Sequence, residues 1–335
     1  MSIVRTTTLW FLLFIFQCKY EFSNGIPRFA NYIQDHMVLQ RAPQRAIVWG
    51  YGDTSTLTTL TMNGKTYTTM SEAKSTDEQA ESIWSVTLDP VSDEGPFDIH
   101  VSQPSANGTN VTITLHDVLF GDVWICSGQS NMQLTVGMIY NATVEIANAG
   151  QFPKIRVFTA ELNQSTIPLE EVLGIVLPWS VASPASIGGL PMRHMSAVCW
   201  LFGRMIHQAL GGRPMGLIAT SWAGTSIEVW MPPKAFQQCN RTNGLDVDEF
   251  IIPTNHSCLF NSMIYPFTRL VIYGVIWDQG EGNGAGSTDD TYACSFAKMI
   301  GTWREIWNQR TNGITDLEFP FGFVQVNSFI EIMSI

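Results

Sequence analysis

The chain has 335 residues, 18 Lys and Arg against 29 Asp and Glu, and a formal net charge of −11. Its 45% hydrophobic content, with 11 Trp and 19 Phe, suffices for a large core and excludes wholesale disorder. Acidity without a basic stripe argues against nucleic acid as a partner and against docking on anionic membranes through a basic face.

The first predicted element is a leader. Arg5 precedes an unbroken apolar run from Leu9 to Phe16, and polar Gln17, Lys19 and Glu21 follow. The run is too short for a membrane-spanning helix, which needs about 20 residues. Residues 1–24 therefore read as a secretory signal peptide, cut between Cys18 and Gly25. No later stretch is long and apolar enough to act as a transmembrane anchor. Six Asn-x-Ser/Thr triplets, at Asn107, Asn110, Asn141, Asn163, Asn240 and Asn255, are predicted glycosylation acceptors. The predicted location is the secretory pathway, extracellular or lysosomal. Once Cys18 leaves with the signal, five cysteines remain, an odd number. Cys239 and Cys258 flank a loop-like stretch and are read as a disulfide. Cys126 and Cys199, among apolar neighbours, are read as buried free thiols.

Residues 25–117 read as a β-rich domain. Leu57, Leu60 and Met62 sit in a Thr-rich alternating background, and Asn63-Gly64 is a two-residue hairpin turn leading into Lys65 to Met70. Trp84, Val86 and Leu88 alternate with polar residues, as do Phe97, Ile99 and Val101, and then Val111, Ile113 and Leu115. Period-two alternation means half-buried antiparallel strands, and a small β-sandwich is the natural architecture.

From 118 to 326 the pattern changes. Mostly apolar runs at Val118–Ile125, Ile155–Phe158, Met215–Thr220, Tyr273–Trp277 and Phe321–Val326 have the length of buried strands. Between them, Val198 to Leu210 follows a helical period with Gly211-Gly212 as the stop, and Tyr292, Phe296, Met299, Ile300 and Trp303 do the same. Strands alternating with helices predict an α/β fold with a mostly parallel, doubly wound sheet, in which ligands bind at the carboxyl ends of strands.

Three of those strand ends carry chemistry. The first is Cys126-Ser127-Gly128-Gln129-Ser130-Asn131-Met132, a strand, a glycine turn, a serine and a helix start. Such a turn exposes a nucleophilic hydroxyl near a helix N-terminus, although a serine there also serves simply as a cap. The second is Ser221-Trp222-Ala223-Gly224-Thr225 and the third is Trp277-Asp278-Gln279-Gly280-Glu281-Gly282-Asn283.

The block from Gly121 to Met132 closely resembles the nucleophile block of the sialate O-acetylesterases, a branch of the SGNH hydrolases. The likeness extends from Arg28-Phe29-Ala30 and Met37-Val38-Leu39-Gln40 to Phe321-Gly322-Phe323-Val324-Gln325. It implies a flavodoxin-like core, Ser130 as nucleophile with Ser127 as the structural runner-up, and an oxyanion hole from Gly224 N–H and the Gln279 side-chain amide. It implies Asn131 and Glu281 as substrate-binding residues, O-acetylated sialic acids or sialoglycans as substrates, and no metal or organic cofactor. Asp278 and Gly282 depart from the family's Tyr and Ser, and a carboxylate beside the hole would oppose the oxyanion. The family's base His and its Asp follow the Gly-Phe-Val-Gln strand, whereas residues 327–335 do not resemble the family. None of His36, His100, His116, His194, His207 and His256 has Asp three residues before it. The esterase domain is thus read as incomplete, with two functional expectations: an O-acetylesterase, or a catalytically inactive secreted glycoprotein.

Overall fold

A computed structural model describes residues 26–73, 82–104, 109–239, 252–283 and 289–325. The leader, the sequons Asn107 and Asn240, and the tail 327–335 lie outside the described residues. The strands are β1 (Arg28–Phe29), β2 (Val38–Gln40), β3 (Ile47–Gly52), β4 (Leu57–Met62), β5 (Lys65–Met70), β6 (Glu72–Ala73), β7 (Ser82–Thr87), β8 (Phe97–Pro104), β9 (Asn110–Gly128), β10 (Ile155–Ala160), β11 (Ile175–Val181), β12 (Met215–Ser221), β13 (Gly274–Asp278) and β14 (Phe321–Phe323). The α-helices are α1 (Ser130–Gln133), α2 (Ala142–Asn148), α3 (Pro184–Ile187), α4 (Ala197–Ala209), α5 (Pro233–Gln238) and α6 (Asp289–Arg310).

The N-terminal strands form two antiparallel layers. One sheet runs β1-β3-β7-β6, and the other brings β5, β4 and β8 onto the first half of β9. Alternation drives this pairing. Leu60, Met62, Val86, Ile99 and Val101 are buried, while their polar neighbours face outward. The Asn63-Gly64 turn forms as expected, both residues taking positive φ (49° and 73°) between β4 and β5.

β9 is one strand where the sequence suggested two. Its first half pairs antiparallel with β8, and its second half pairs parallel with β12 on one side and β13 on the other. The change from alternating to continuous apolar residues near 118 marks the point where the second face becomes covered, and Asp117, with φ 55°, absorbs the bend. The expected boundary at 117 therefore falls inside a continuous strand, and residues on both sides of it share one apolar core.

The second sheet has the order β11-β10-β12-β9-β13-β14, parallel except for the edge strand β11. Taking its parallel strands in chain order gives 2-3-1-4-5, a departure from the 2-1-3-4-5 of a flavodoxin-like sheet. Strand order depends on long-range packing that no local pattern encodes. Helices cover both faces. α1 and α4 pack on Trp124, Cys126 and Ile276, while α6 lays Met299, Trp303 and Trp307 on the other side. Ser196 caps α4, its hydroxyl accepting from Cys199 N at 3.1 Å. At the end of the sheet, Phe323 and Val324 are exposed by 56% and 47%.

Two disulfides tie the layers, and neither matches the expected pairing. Cys126 of β9 bonds to Cys199 of α4, and Cys239 at the end of α5 bonds to Cys294 of α6, leaving Cys258 a buried free thiol. The apolar surroundings of Cys126 and Cys199 are those of a bond inside the core. The expected Cys239–Cys258 bridge is absent because Cys258 points into the apolar core beside Leu259 and Met263, while α6 brings Cys294 to a Cα distance of 6.0 Å from Cys239.

Candidate active site

β9 lies where the chain order of the sheet reverses, so the crevice at its carboxyl end is the natural binding position. There β9 ends at Gly128, whose φ of 144° and close approach to β13 admit no side chain. A Cβ at Gly128 would lie 2.0 Å from the Asp278 carbonyl oxygen. Gln129 N then donates to that carbonyl at 2.8 Å, which pins the turn to β13 and starts α1 at Ser130. Ser130 is half-buried, and its N–H, at the first helical position, has no partner inside the helix. Ser127 is fully buried with its hydroxyl donating to Thr220 O at 2.9 Å, a structural role.

The loop after β12 is held on both sides. Ala223 N donates to the Gln133 amide oxygen at 2.6 Å, and Thr225 O accepts from Gln279 Nε2 at 3.1 Å. Gly224, exposed and with φ 76°, sits between these anchors. The loop after β13 is held by Gln129, a residue the sequence reading quoted without giving it a role. Its Oε1 accepts from Gly280 N at 3.3 Å and Gly282 N at 2.9 Å, and its Nε2 reaches Ser130 Oγ at 3.4 Å. Its place next to the serine in the motif was the only sequence signal of this role.

Gln279 does not have the geometry expected of it. It is 2% exposed, and both protons of its amide are committed, one to Thr225 O and one to Asn283 Oδ1 at 2.7 Å. Its Oε1 accepts from the Tyr292 hydroxyl at 2.8 Å. Burial pushes the Tyr292 phenol up to about 12, so it stays a donor at any ordinary pH. Asn283 continues the network to Glu228 at 2.9 Å and Ile227 N at 2.9 Å. Gln279 thus braces the two loops, and no amide proton remains to point at a substrate.

Asn131 and Glu281 are brought together, the Asn131 amide donating to Glu281 Oε1 at 2.6 Å. Asp278 is 5% exposed, and no side chain or backbone group among the described residues bonds its buried Oδ1. Burial and then repulsion from Glu281 raise its pKa, favouring the neutral acid.

No imidazole is hydrogen-bonded to Ser130. His36 and His116 pair with Asp117 and Asp98, and His100 with the Thr114 hydroxyl. His256 stacks on Phe236 at 4.5 Å. His194 borders a neighbouring cavity. His207 is 8% exposed and bonds Arg213 O at 2.6 Å, so it is a core residue. Of the sequons, Asn110, Asn141 and Asn255 are exposed and Asn163 is half-buried.

A family model described as carbohydrate esterase, sialic acid-specific acetylesterase, matches residues 120–329, from within β9 to past β14. The sialate O-acetylesterase of Homo sapiens is 40% identical over 303 residues, covering 90% of this chain and 57% of that protein. The one from Mus musculus is 38% identical over 331 residues, covering 90% and 60%. The chain therefore spans somewhat under two thirds of the length of the curated relatives it matches. A crystal structure of a carbohydrate acetylesterase from Xanthomonas citri superposes with a TM-score of 0.74 at 26% identity, over 90% of this chain and 60% of that one. With the family match running through the Ser130 turn and both neighbouring strand ends, the chain belongs to the sialic acid-specific acetylesterase family of carbohydrate esterases.

Proposed function

We propose that the chain carries a serine esterase site for O-acetyl groups on sialic acids. The observation that carries this is the placement of Ser130 at the first position of α1, on a turn that β13 holds from below, at the carboxyl end of the central strand. Ser130 Oγ attacks the acetyl carbonyl, forming a tetrahedral anion. The Ser130 proton passes to solvent as the bond forms, the C–O bond to the sugar then breaks, the sugar alkoxide takes a proton from solvent, and water hydrolyses the acetyl-serine to acetate and restores the Ser130 hydroxyl. The Ser130 and Gly224 N–H groups face no competing partner among the described residues and are the backbone donors to the anion. With the Gln279 amide committed elsewhere, Gln129 Nε2 is the side-chain donor on this reading. Each such donor is worth roughly 100- to 1,000-fold in rate.

A second reading has its own observation: among the described residues, the hydrogen bond at the Ser130 hydroxyl comes from Gln129 and not from an imidazole. On it the protein is a non-catalytic glycoprotein that binds acetylated glycans. A triad enzyme without its base keeps only about 10³–10⁴ over water, from the oxyanion hole and binding. The two readings are separated by acetate release from an O-acetylated sialic acid and from an aryl acetate, with and without imidazole added as a substitute base. The esterase reading expects a rate that imidazole raises and that Ser130→Ala removes. A rate indifferent to Ser130→Ala, or none with imidazole present, overturns it. We also place the protein in the secretory pathway, extracellular or lysosomal, supported by the two disulfides and the exposed sequons.

A further inference from the structure

Next to the nucleophile's helix lies a cavity of about 370 Å³ that the chemistry at Ser130 leaves unused. It opens at the carboxyl ends of β10 and β12, bordered by Thr159 and Ser221, by Gln133 of α1, and by Arg193 and His194 from the segment before α4. Its remaining wall is largely aliphatic. Gln133 stands one helical turn from Ser130 and is fixed at both ends, donating to Met192 O at 2.7 Å and accepting from Ala223 N at 2.6 Å. The cavity and the reactive serine therefore share one short rigid wall.

Two polar atoms in the cavity wall have no partner. The Thr159 hydroxyl belongs to a residue 8% exposed and bonds nothing, and the buried His194 Nδ1 bonds nothing. Both atoms are themselves shut off from solvent, so the polar surface that the cavity offers a ligand comes from Gln133, Ser221 and Arg193. The His194 ring is set in position against Gly189, where even a Cβ would come within 1.9 Å of it. Arg193 is exposed at the rim and makes no side-chain hydrogen bond or ion pair among the described residues. The cavity's other charged side chain, Glu161, already accepts from the Asn163 amide at 3.4 Å and lies over Gly174. Burial lowers the pKa of His194, which favours its neutral form.

An unpaired guanidinium at the mouth of a polar-floored, aliphatic-walled cavity matches a planar carboxylate on a sugar. A sialic acid carries one, away from the hydroxyls that bear acetyl groups. We propose that this cavity holds the carboxylate-bearing end of a sialic acid, with Arg193 binding the carboxylate. The inference rests on the esterase reading of Ser130, which sets the substrate class.

The test is titration calorimetry with the methyl glycoside of N-acetylneuraminic acid and with its uncharged methyl ester, neither of which carries an O-acetyl group to be turned over. The acid is expected to bind roughly ten- to a hundredfold tighter than the ester, the range of charge-assisted hydrogen bonds. Arg193→Gln erases that difference. Equal affinity for acid and ester, or a preference that survives Arg193→Gln, overturns the proposal. Arg193-dependent acid binding without Ser130-dependent acetate release keeps the cavity assignment and removes the esterase reading. Ser130-dependent release without an Arg193-dependent preference does the reverse.

Discussion

Replacing Cys126 and Cys199 together by alanine removes the bond between the strand that carries the nucleophile and helix α4. The two residues are 73 positions apart in sequence. In the chain-entropy description, closing a loop of that size costs the unfolded state about 15 cal/mol/K, or about 4 kcal/mol at about 25 °C. Both cysteines are fully buried, and truncation to alanine adds a small packing loss. Against a total stability of roughly 5–15 kcal/mol, the double variant loses about a quarter or more. Urea unfolding, followed by tryptophan fluorescence, reads this as a lower midpoint. Alkylation of the denatured, unreduced chain checks the pairing independently: of Cys126, Cys199, Cys239, Cys258 and Cys294, only Cys258 takes label. A stability loss under about 1 kcal/mol, or label on Cys126 or Cys199, would refute the reasoning and withdraw support from an oxidising compartment.

Other perturbations separate the remaining parts of the account. Asp278 binds its proton more tightly folded than unfolded, so stability falls as pH rises through and above the carboxylate range. Asp278→Asn should flatten that fall in a series of melting curves against pH, and an unchanged slope would mean the carboxyl is solvated. Glu170 behaves oppositely: burial alone would raise it, but the hydrogen bonds and charges of Arg310 and Arg269 bring it down to about 2. Its contribution is present above the ordinary glutamate range and lost as pH drops towards about 2. Glu170→Gln should cost about 3–5 kcal/mol, because it strands two largely buried guanidiniums, and a cost below about 1 kcal/mol would contradict this. Gly128→Ala drives a methyl into the Asp278 carbonyl, 2.0 Å away, so the variant should be recovered unfolded or lose more than about 3 kcal/mol; a native-like melting curve would show that β9 and β13 are not so close.

Much of the fold was legible in local pattern. The Asn63-Gly64 turn, the alternating strands before 118 and the buried parallel strands after it follow from which faces are covered. What local pattern could not show is where distant elements meet. The strand β9 reads as two segments because its halves are buried differently, although the backbone continues unbroken through the bend at Asp117. The disulfides escaped because α4 and α6 bring together cysteines 73 and 55 residues apart. The site shows the same division. The strand–turn–helix placement of Ser130 was visible because it is set by residues in one unbroken run. The commitment of Gln279 was not, since its acceptors, Thr225 O and Asn283 Oδ1, stand on two different loops. Gln129 was hidden in the same way, its partners at Gly280 and Gly282 lying about 150 residues onward.

The central claim is that Ser130 is the acetyl acceptor, and peptide mass mapping after incubation with an aryl acetate tests it directly. Without an imidazole on Ser130, deacylation is slow and the covalent acetyl group accumulates. The account predicts acetylation on the peptide bearing Ser130, in excess over the Ser130→Ala variant and discharged by added imidazole. Acetylation that is absent from that peptide, or equal in the variant, would contradict it.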